Sequence, residues 1–231
     1  MIGPPHPEYQ FLETPIASGV ALASLLPPLR AIVEAQSLYA YAATVTGRRE
    51  LAGRGPAYAI PLGRDRVVVR HVRHGGALAA ITRDVFLAPT RAPYELAVSH
   101  RLRDGGVPTP EVLAYVTYPV ARFLRRADVV TREIPDAVDL GTLLGAATLT
   151  ADDRAALWAM VTELIEALAT VGAYHADLNV TNVLVAPDAA GRRTAHAIDV
   201  DRVVWGHPGD RALVRTNLDR LHRSARKRGL L

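Results

Sequence analysis

Apolar residues recur with different periods in the two halves of the chain. In the first half, short apolar runs are interrupted by Gly47, Gly53, Gly55, Pro56, Pro61 and Gly63, a spacing that suits strands and turns. Arg66-Val67-Val68-Val69-Arg70-His71-Val72 is β-branched and too short for an ordinary helix, so it is predicted as a strand. Over residues 92–104 the period changes. Tyr94, Val98 and Leu102 fall four apart on one helical face, Gly105 and Gly106 end the run, and Pro108 and Pro110 bar its continuation. Residues 112–120 and 123–134 are again extended and predict an antiparallel pair.

The second half follows helical spacing. Thr150-Ala151-Asp152-Asp153 predicts an N-cap with acids in the first turn. Leu157, Val161, Leu164, Leu168 and Val171 then form an apolar stripe that Gly172 stops. Short strands are expected at 183–186 and 194–198, joined by a turn at 188–191. A last helix is expected over 210–228. Val214, Leu218, Leu221 and Ala225 line one of its faces, and Arg211, Arg215, His222 and Arg226 the adjacent one. That basic face is either the solvated flank of a docking helix or a surface for anions and lipid headgroups.

The fold class is therefore α+β. Residues 1–40 are expected as an N-terminal extension and 41–134 as an antiparallel sheet with one main helix. Residues 135–231 are expected to be mainly helical, with a linker near 134–139. A cleft between the halves is the expected ligand site. Residues 15–33 are apolar but broken by Pro27 and Pro28 and too short to span a bilayer, leaving a buried extension or a membrane-surface contact. The N-terminus has no basic stretch before an apolar run, so no signal peptide is expected.

Composition narrows the chemistry. The 231 residues suffice for one large domain or two small lobes, and with 49% hydrophobic and 22% charged residues the chain is expected to fold and stay soluble. Cysteine is absent, which excludes disulfides, thiolate catalysis, cysteine-ligated zinc and iron–sulfur clusters. Among 27 basic residues, Lys227 is the single lysine, so any cation needed mid-chain must be arginine or histidine. A net charge of +4 favours acidic partners such as phosphates, nucleic acid or anionic lipid. Nucleic-acid binding would call for basic clusters interleaved with aromatics. The last, basic helix contains no aromatic residue, so nucleic acid is not expected as a partner.

The strongest chemical signal is Tyr174-His175-Ala176-Asp177-Leu178-Asn179-Val180-Thr181-Asn182-Val183-Leu184-Val185, between a long helix and a short strand. It puts a carboxylate and a carboxamide on one loop. Ile198-Asp199-Val200-Asp201 adds a carboxylate at a strand end. Phosphoryl transfer needs a carboxylate to orient or deprotonate the attacking hydroxyl, and one or two hard oxygen ligands for magnesium. Asp177 suits the first task, and Asn182 with Asp199 the second. Singly, such residues are turn formers; in combination they are a site. His175 is expected to bond the loop backbone. Asp201 either pairs with Arg202 or belongs to the site, and His71 and Arg73 either bind an acidic acceptor or are exposed.

The His-x-Asp-x-x-x-x-Asn element followed by Ile-Asp-x-Asp resembles the catalytic and metal loops of protein-kinase-like enzymes. Four segments narrow the resemblance to the bacterial lipopolysaccharide core kinases of the Kdo/WaaP type, closest to those acting on 3-deoxy-D-manno-octulosonic acid (Kdo). They are Gly53-Arg54-Gly55-Pro56-Ala57-Tyr58, Val69-Arg70-His71-Val72-Arg73-His74-Gly75-Gly76, the stretch from Tyr174 to Leu184, and Asn217-Leu218-Asp219-Arg220-Leu221-His222-Arg223-Ser224. The resemblance implies a bilobal protein-kinase-like fold, ATP and Mg2+ as cofactors, and transfer to a sugar hydroxyl, with Kdo in a lipid A precursor as acceptor. It implies Asp177 as catalytic base and Asn182 and Asp199 as metal ligands. It also implies Gly53, Arg54 and Gly55 in the loop over the ATP phosphates, Arg70 as the phosphate-binding cation, Glu95 as its helix anchor, and Glu133 among the nucleotide-binding residues. The partners implied are ATP and an anionic glycolipid, and the location is peripheral, at the cytoplasmic face of the inner membrane. The sequence departs from the general kinase pattern in three places. Arg70 stands where lysine is usual, the glycine-rich loop falls short of G-x-G-x-x-G, and Val200-Asp201 replaces Phe-Gly. A kinase for a heptose or another small molecule, and an inactive nucleotide-binding scaffold, are the competing readings.

Overall fold

The computed structural model describes residues 6–51, 55–73, 84–188 and 190–231. The chain divides into two compact units: one takes it up to Ala97 together with Glu111–Glu133, the other takes Val98–Pro110 and Ile134–Leu231.

The first unit is built on an antiparallel sheet ordered β1-β2-β7-β8-β5-β4-β3, with β6 pairing β8. Its strands are β1 (Tyr9–Thr14), β2 (Ala17–Leu22), β3 (Arg49–Leu51), β4 (Ala57–Leu62), β5 (Asp65–His71), β6 (Phe86–Leu87), β7 (Val112–Ala121) and β8 (Leu124–Arg132). The predicted Val-rich strand is β5, in which Val67 and Val69 are fully buried while the intervening residues are not. The expected pair 112–120 and 123–134 is β7 and β8.

The expected N-terminal extension is corrected by the sheet. Strands β1 and β2 form a hairpin that joins it through β2 and β7. Helices α1 (Leu26–Val33) and α2 (Leu38–Thr44) bury Leu29, Val33, Leu38 and Ala42 against Leu62, Val67 and Leu113. Pro27 and Pro28 fall in the first turn of α1, where a missing N–H breaks no helical bond, so they start a helix and do not interrupt one. Gly19 is required by close approach, since a Cβ there would stand 2.1 Å from the Tyr115 carbonyl oxygen. Residues 15–33 are thus core-forming.

Helix α3 (Ala92–Asp104) has the predicted bounds, and of its predicted face Val98 and Leu102 are buried while Tyr94 is not. Ala92, Leu96, Val98 and Leu102 are buried and Tyr94 is exposed. The first two pack with Val112 and Val129 in the first unit, and the last two with Val107 and Leu168 in the second.

The second unit centres on α5 (Ala151–Thr170), preceded by β9 (Val138–Asp139) and α4 (Leu140–Leu144). Thr150 caps α5, its Oγ1 accepting the Asp153 amide at 3.1 Å. Leu157, Val161, Leu164 and Leu168 of the predicted stripe are buried, and Val171 packs against them partly exposed. Gly172 ends the run at φ +76°, and a Cβ there would meet the Gly206 carbonyl oxygen at 2.7 Å. Two small antiparallel sheets follow. One pairs β10 (Ala173–His175) with β13 (Val203–Trp205), and the other orders β12 (Arg193–Ala197), β11 (Val183–Pro187) and β9. The last helix, α6 (Arg211–Lys227), is N-capped by Asp210, whose Oδ1 accepts the Ala212 amide at 2.8 Å.

Candidate active site

In the second unit, His175 joins the two loops that carry the candidate carboxylates. It ends β10, is fully buried, and has a hydrogen-bond partner at each ring nitrogen. The Asp177 amide donates to Nδ1 at 3.3 Å, so the proton sits on Nε2, which donates to the Ile198 carbonyl at 2.9 Å. Burial depresses the imidazole pKa below its ordinary value, against the pull of the Ile198 carbonyl and of Asp199, Asp177 and Asp201. The ring is neutral and structural, and both candidate carboxylates lie near enough to act on it.

Asn182 closes the same network. Its Nδ2 donates to the Asp177 carbonyl at 2.9 Å, and its own carbonyl accepts the Ile198 amide at 3.0 Å. Asn179 is used within the loop, with Nδ2 on the Asp177 carbonyl and Oδ1 accepting from the Thr181 amide and hydroxyl. Asp199 sits at φ 56° and ψ 46°, a left-handed backbone costing an L residue roughly 1 kcal/mol or more. Held residues in such conformations concentrate at functional sites. Asp177, Asn182 and Asp199 are therefore brought together around one buried ring. Asp201 reaches only 4.0 Å from the Arg202 guanidinium.

No individual role is read from sequence for the residues of α6 that hold this loop. Asn217 is fully buried, accepts the His175 amide on Oδ1 at 3.0 Å and donates from Nδ2 to the Ala173 carbonyl at 3.1 Å. One and two turns later, Arg220 reaches Asp177 and Ser224 accepts the Val180 amide at 3.3 Å. A polar series at i, i+3 and i+7 on an otherwise apolar helix face was the available signal. Asn217→Leu keeps the branched heavy-atom skeleton but strands a buried N–H and a buried carbonyl. We expect a loss of about 3 kcal/mol in stability, read from denaturant unfolding, with activity falling alongside.

In the first unit, Arg70 of β5 pairs with Glu95 of α3, one guanidinium nitrogen bonding both carboxylate oxygens. Glu95 is nearly inaccessible, so the pair is largely shielded from water and salt. Glu133 is held by Arg49 and Arg66, each at 2.6 Å. Burial works against its charge, but the two guanidinium groups outweigh that and keep its carboxyl below the usual range. Gly55 lies under the Arg73 guanidinium, where a Cβ would come within 2.9 Å of Nη1. Gly53 and Arg54 fall outside the described residues. His71 is neither exposed nor open to an acceptor, because its ring nitrogens bond Asp128 and Asp84.

Comparison with known proteins identifies the family and the fold. The chain matches the model of the lipopolysaccharide kinase (Kdo/WaaP) family over residues 40–230. It is 31% identical over 179 residues to a 3-deoxy-D-manno-octulosonic acid kinase of Vibrio vulnificus strain CMCP6, covering 76% of this chain and 71% of that one. It is 32% identical over 163 residues to the enzyme of the same name from Pasteurella multocida strain Pm70, covering 69% and 65%. Among solved structures, WaaP in complex with acyl carrier protein superposes with a TM-score of 0.52 at 16% identity, over 86% of this chain and 78% of that one. The Rio2 kinase–ADP/Mg2+–phosphoaspartate complex from Chaetomium thermophilum gives 0.51 at 19% identity, over 97% and 67%. Those two likenesses establish a protein-kinase-like fold, and the family match covers most of the sequence including the Asp177 loop. The chain is a phosphotransferase and belongs to the lipopolysaccharide kinase (Kdo/WaaP) family.

Proposed function

We propose that the chain transfers the γ-phosphoryl group of ATP to a hydroxyl of Kdo carried on a lipid A precursor. The observation that carries this reading is the attachment of the Asp177, Asn182 and Asp199 segments to one buried, neutral His175. The Kdo kinases to which the chain is similar support the acceptor.

Asp177 takes the proton of the attacking hydroxyl. Its carboxylate is about a third exposed, at 31%, and can receive a substrate group, while its backbone is fixed by two asparagine side chains. The residues also fit a magnesium ion. The Asn182 amide nitrogen is committed to the Asp177 carbonyl, which turns Oδ1 into the end left for a cation, and Asp199 adds a hard anionic oxygen. Mg2+ held by Asn182 and Asp199 would neutralise charge on the phosphates. Among the described residues no cluster of three or more His, Asp or Glu forms a dedicated metal cage, and a magnesium ion shared with phosphates and waters needs none.

From the first unit, Gly55 and Arg70, the latter held by Glu95, are assigned to the phosphates, with arginine in place of lysine. Because arginines hold both Glu133 carboxylate oxygens, its contribution to the nucleotide is assigned to its main-chain carbonyl. No helix among the described residues is long and apolar enough to cross a membrane. A net charge of +4 and an anionic, lipid-linked acceptor support peripheral association with the cytoplasmic face of the inner membrane. The test is transfer of radiolabelled phosphate from ATP to Kdo-bearing lipid A precursors, heptosylated cores and protein, offered separately. Label should enter the Kdo-bearing precursor; label on protein alone would overturn the proposal.

A further inference from the structure

The loop that carries Asp177 supplies no cation. Asp177 to Asn182 contains none, and Asn179, two residues after the proposed base, is committed to the loop backbone. The cation comes from the C-terminal helix. Arg220 brings Nη2 to 3.7 Å from Asp177 Oδ1, close enough for charge attraction but too long for a hydrogen bond. Its Nε is buried and has no hydrogen-bond partner among the described residues. An orphaned guanidinium donor is uncommon, because a buried N–H ordinarily finds an acceptor.

Three features set Arg220 apart from a surface arginine. Its helix is pinned to the loop one turn before and one turn after it, by Asn217 on His175 and by Ser224 on Val180. The guanidinium does not form the two-pronged fork with Asp177 that an arginine serving only that carboxylate would adopt. And its side chain is 33% exposed, so an incoming anion can reach it.

We propose that Arg220 is a catalytic residue that binds the phosphoryl group in flight. This rests on the phosphotransfer reading of the same site. As the acceptor oxygen forms its bond to the γ-phosphorus, the bond from that phosphorus to the oxygen bridging it to ADP breaks. The hydroxyl proton passes to Asp177, and ADP leaves. Negative charge spreads over the three phosphoryl oxygens beside Asp177, and a fixed guanidinium stabilises it there without having to reorganise. The second nearby anion, a carboxylate on the acceptor sugar, has the same chemistry and is separated by the test.

The test measures binding of Mg2+–ADP with and without aluminium fluoride, which mimics the phosphoryl group in transit and needs no acceptor. The wild type should bind ADP–aluminium fluoride more tightly than ADP. Arg220→Ala should lose that gain by about 100-fold while ADP affinity stays within about twofold, and Arg220→Lys should recover part of it. Turnover on a Kdo-bearing precursor should show a lowered kcat with little change in the acceptor KM, partly restored by millimolar guanidinium. Three results would overturn the assignment: an Arg220→Ala variant that binds the analogue as tightly as wild type, an acceptor KM that rises at constant kcat, or a parallel loss of ADP affinity. A wild type that gains nothing from aluminium fluoride would sink the phosphotransfer reading, and this assignment with it.

Discussion

Asp177→Asn is expected to lower kcat for phosphate transfer by about 10³-fold while leaving the fold and the affinity for Mg2+–ADP unchanged. The substitution is isosteric and removes only the ability to take a proton and to carry charge. Structure should survive because the loop depends on the Asp177 backbone. Its carbonyl accepts from Asn179 and Asn182, its amide donates to His175, and its side chain meets Arg220 at 3.7 Å, beyond hydrogen-bond reach. The measurement is steady-state transfer from ATP to a Kdo-bearing precursor beside a thermal melt and an ADP titration. Retention of more than a tenth of wild-type turnover would remove Asp177 from the role of base. An inactive scaffold, the competing reading, would bind nucleotide and have no turnover for the variant to lose.

The parts of the fold legible in the sequence are those where one strong local pattern decides the outcome. The stripe from Leu157 to Leu168 had a capped start at Thr150 and a glycine stop, and its residues are buried as the spacing requires. The β1–β2 hairpin was not legible. In β1 the buried positions are Tyr9 and Leu12, three apart, with Phe11 exposed, so the strand never alternates cleanly. In β2 the residues are mostly small and carry little signal. The spacing-four series found α3 and its buried Val98 and Leu102 but wrongly began at Tyr94 in place of Ala92 and Leu96, because a helix accepts several such series and tertiary contacts choose among them.

The candidate site divides the same way. Asp177, Asn182 and Asp199 were readable because their spacing on loops is chemically unusual. Asn217 and Arg220 act on that loop from about forty residues downstream, and the polar series on α6 marks them without saying what they touch. Arg220 reads as one more charge on a basic helix until its distance to Asp177 is known. Asp128 was missed for a similar reason. A lone carboxylate beside Arg125 and Arg126 reads as solvent-facing, yet it is fully buried.

That buried carboxylate carries a large expected stability effect. Asp128 Oδ1 meets His71 Nδ1 at 2.5 Å, Oδ2 accepts the Tyr39 amide at 2.9 Å, and His71 Nε2 lies 3.0 Å from Asp84, which also pairs with Arg126. With a carboxylate at each ring nitrogen, His71 donates from both and is protonated. Burial opposes that charge, but the bonds to Asp128 and Asp84 outweigh it, and the pKa rises above 6.5. Asp128→Ala leaves the buried His71 Nδ1–H and the Tyr39 amide without their acceptor and the imidazolium with Asp84 alone, and should cost about 3 kcal/mol in denaturant unfolding at pH 6. Asp128→Asn, which keeps an acceptor for Tyr39, should cost less. A group with a raised folded pKa contributes fully below its unfolded value, so His71 stabilises the protein below about pH 6.5 and the contribution disappears as pH climbs through the folded pKa. Asp84 is shifted the other way: burial works against its charge, His71 and Arg126 outweigh it, and its contribution holds above its ordinary 3.8 and is lost in acid. The wild type should therefore lose stability as pH rises from about 6.5 through the folded pKa of His71, and Asp128→Ala should lose most of that slope. An alanine variant with wild-type stability and an unchanged slope would mean that the carboxylate and the ring are neighbours without being energetically coupled.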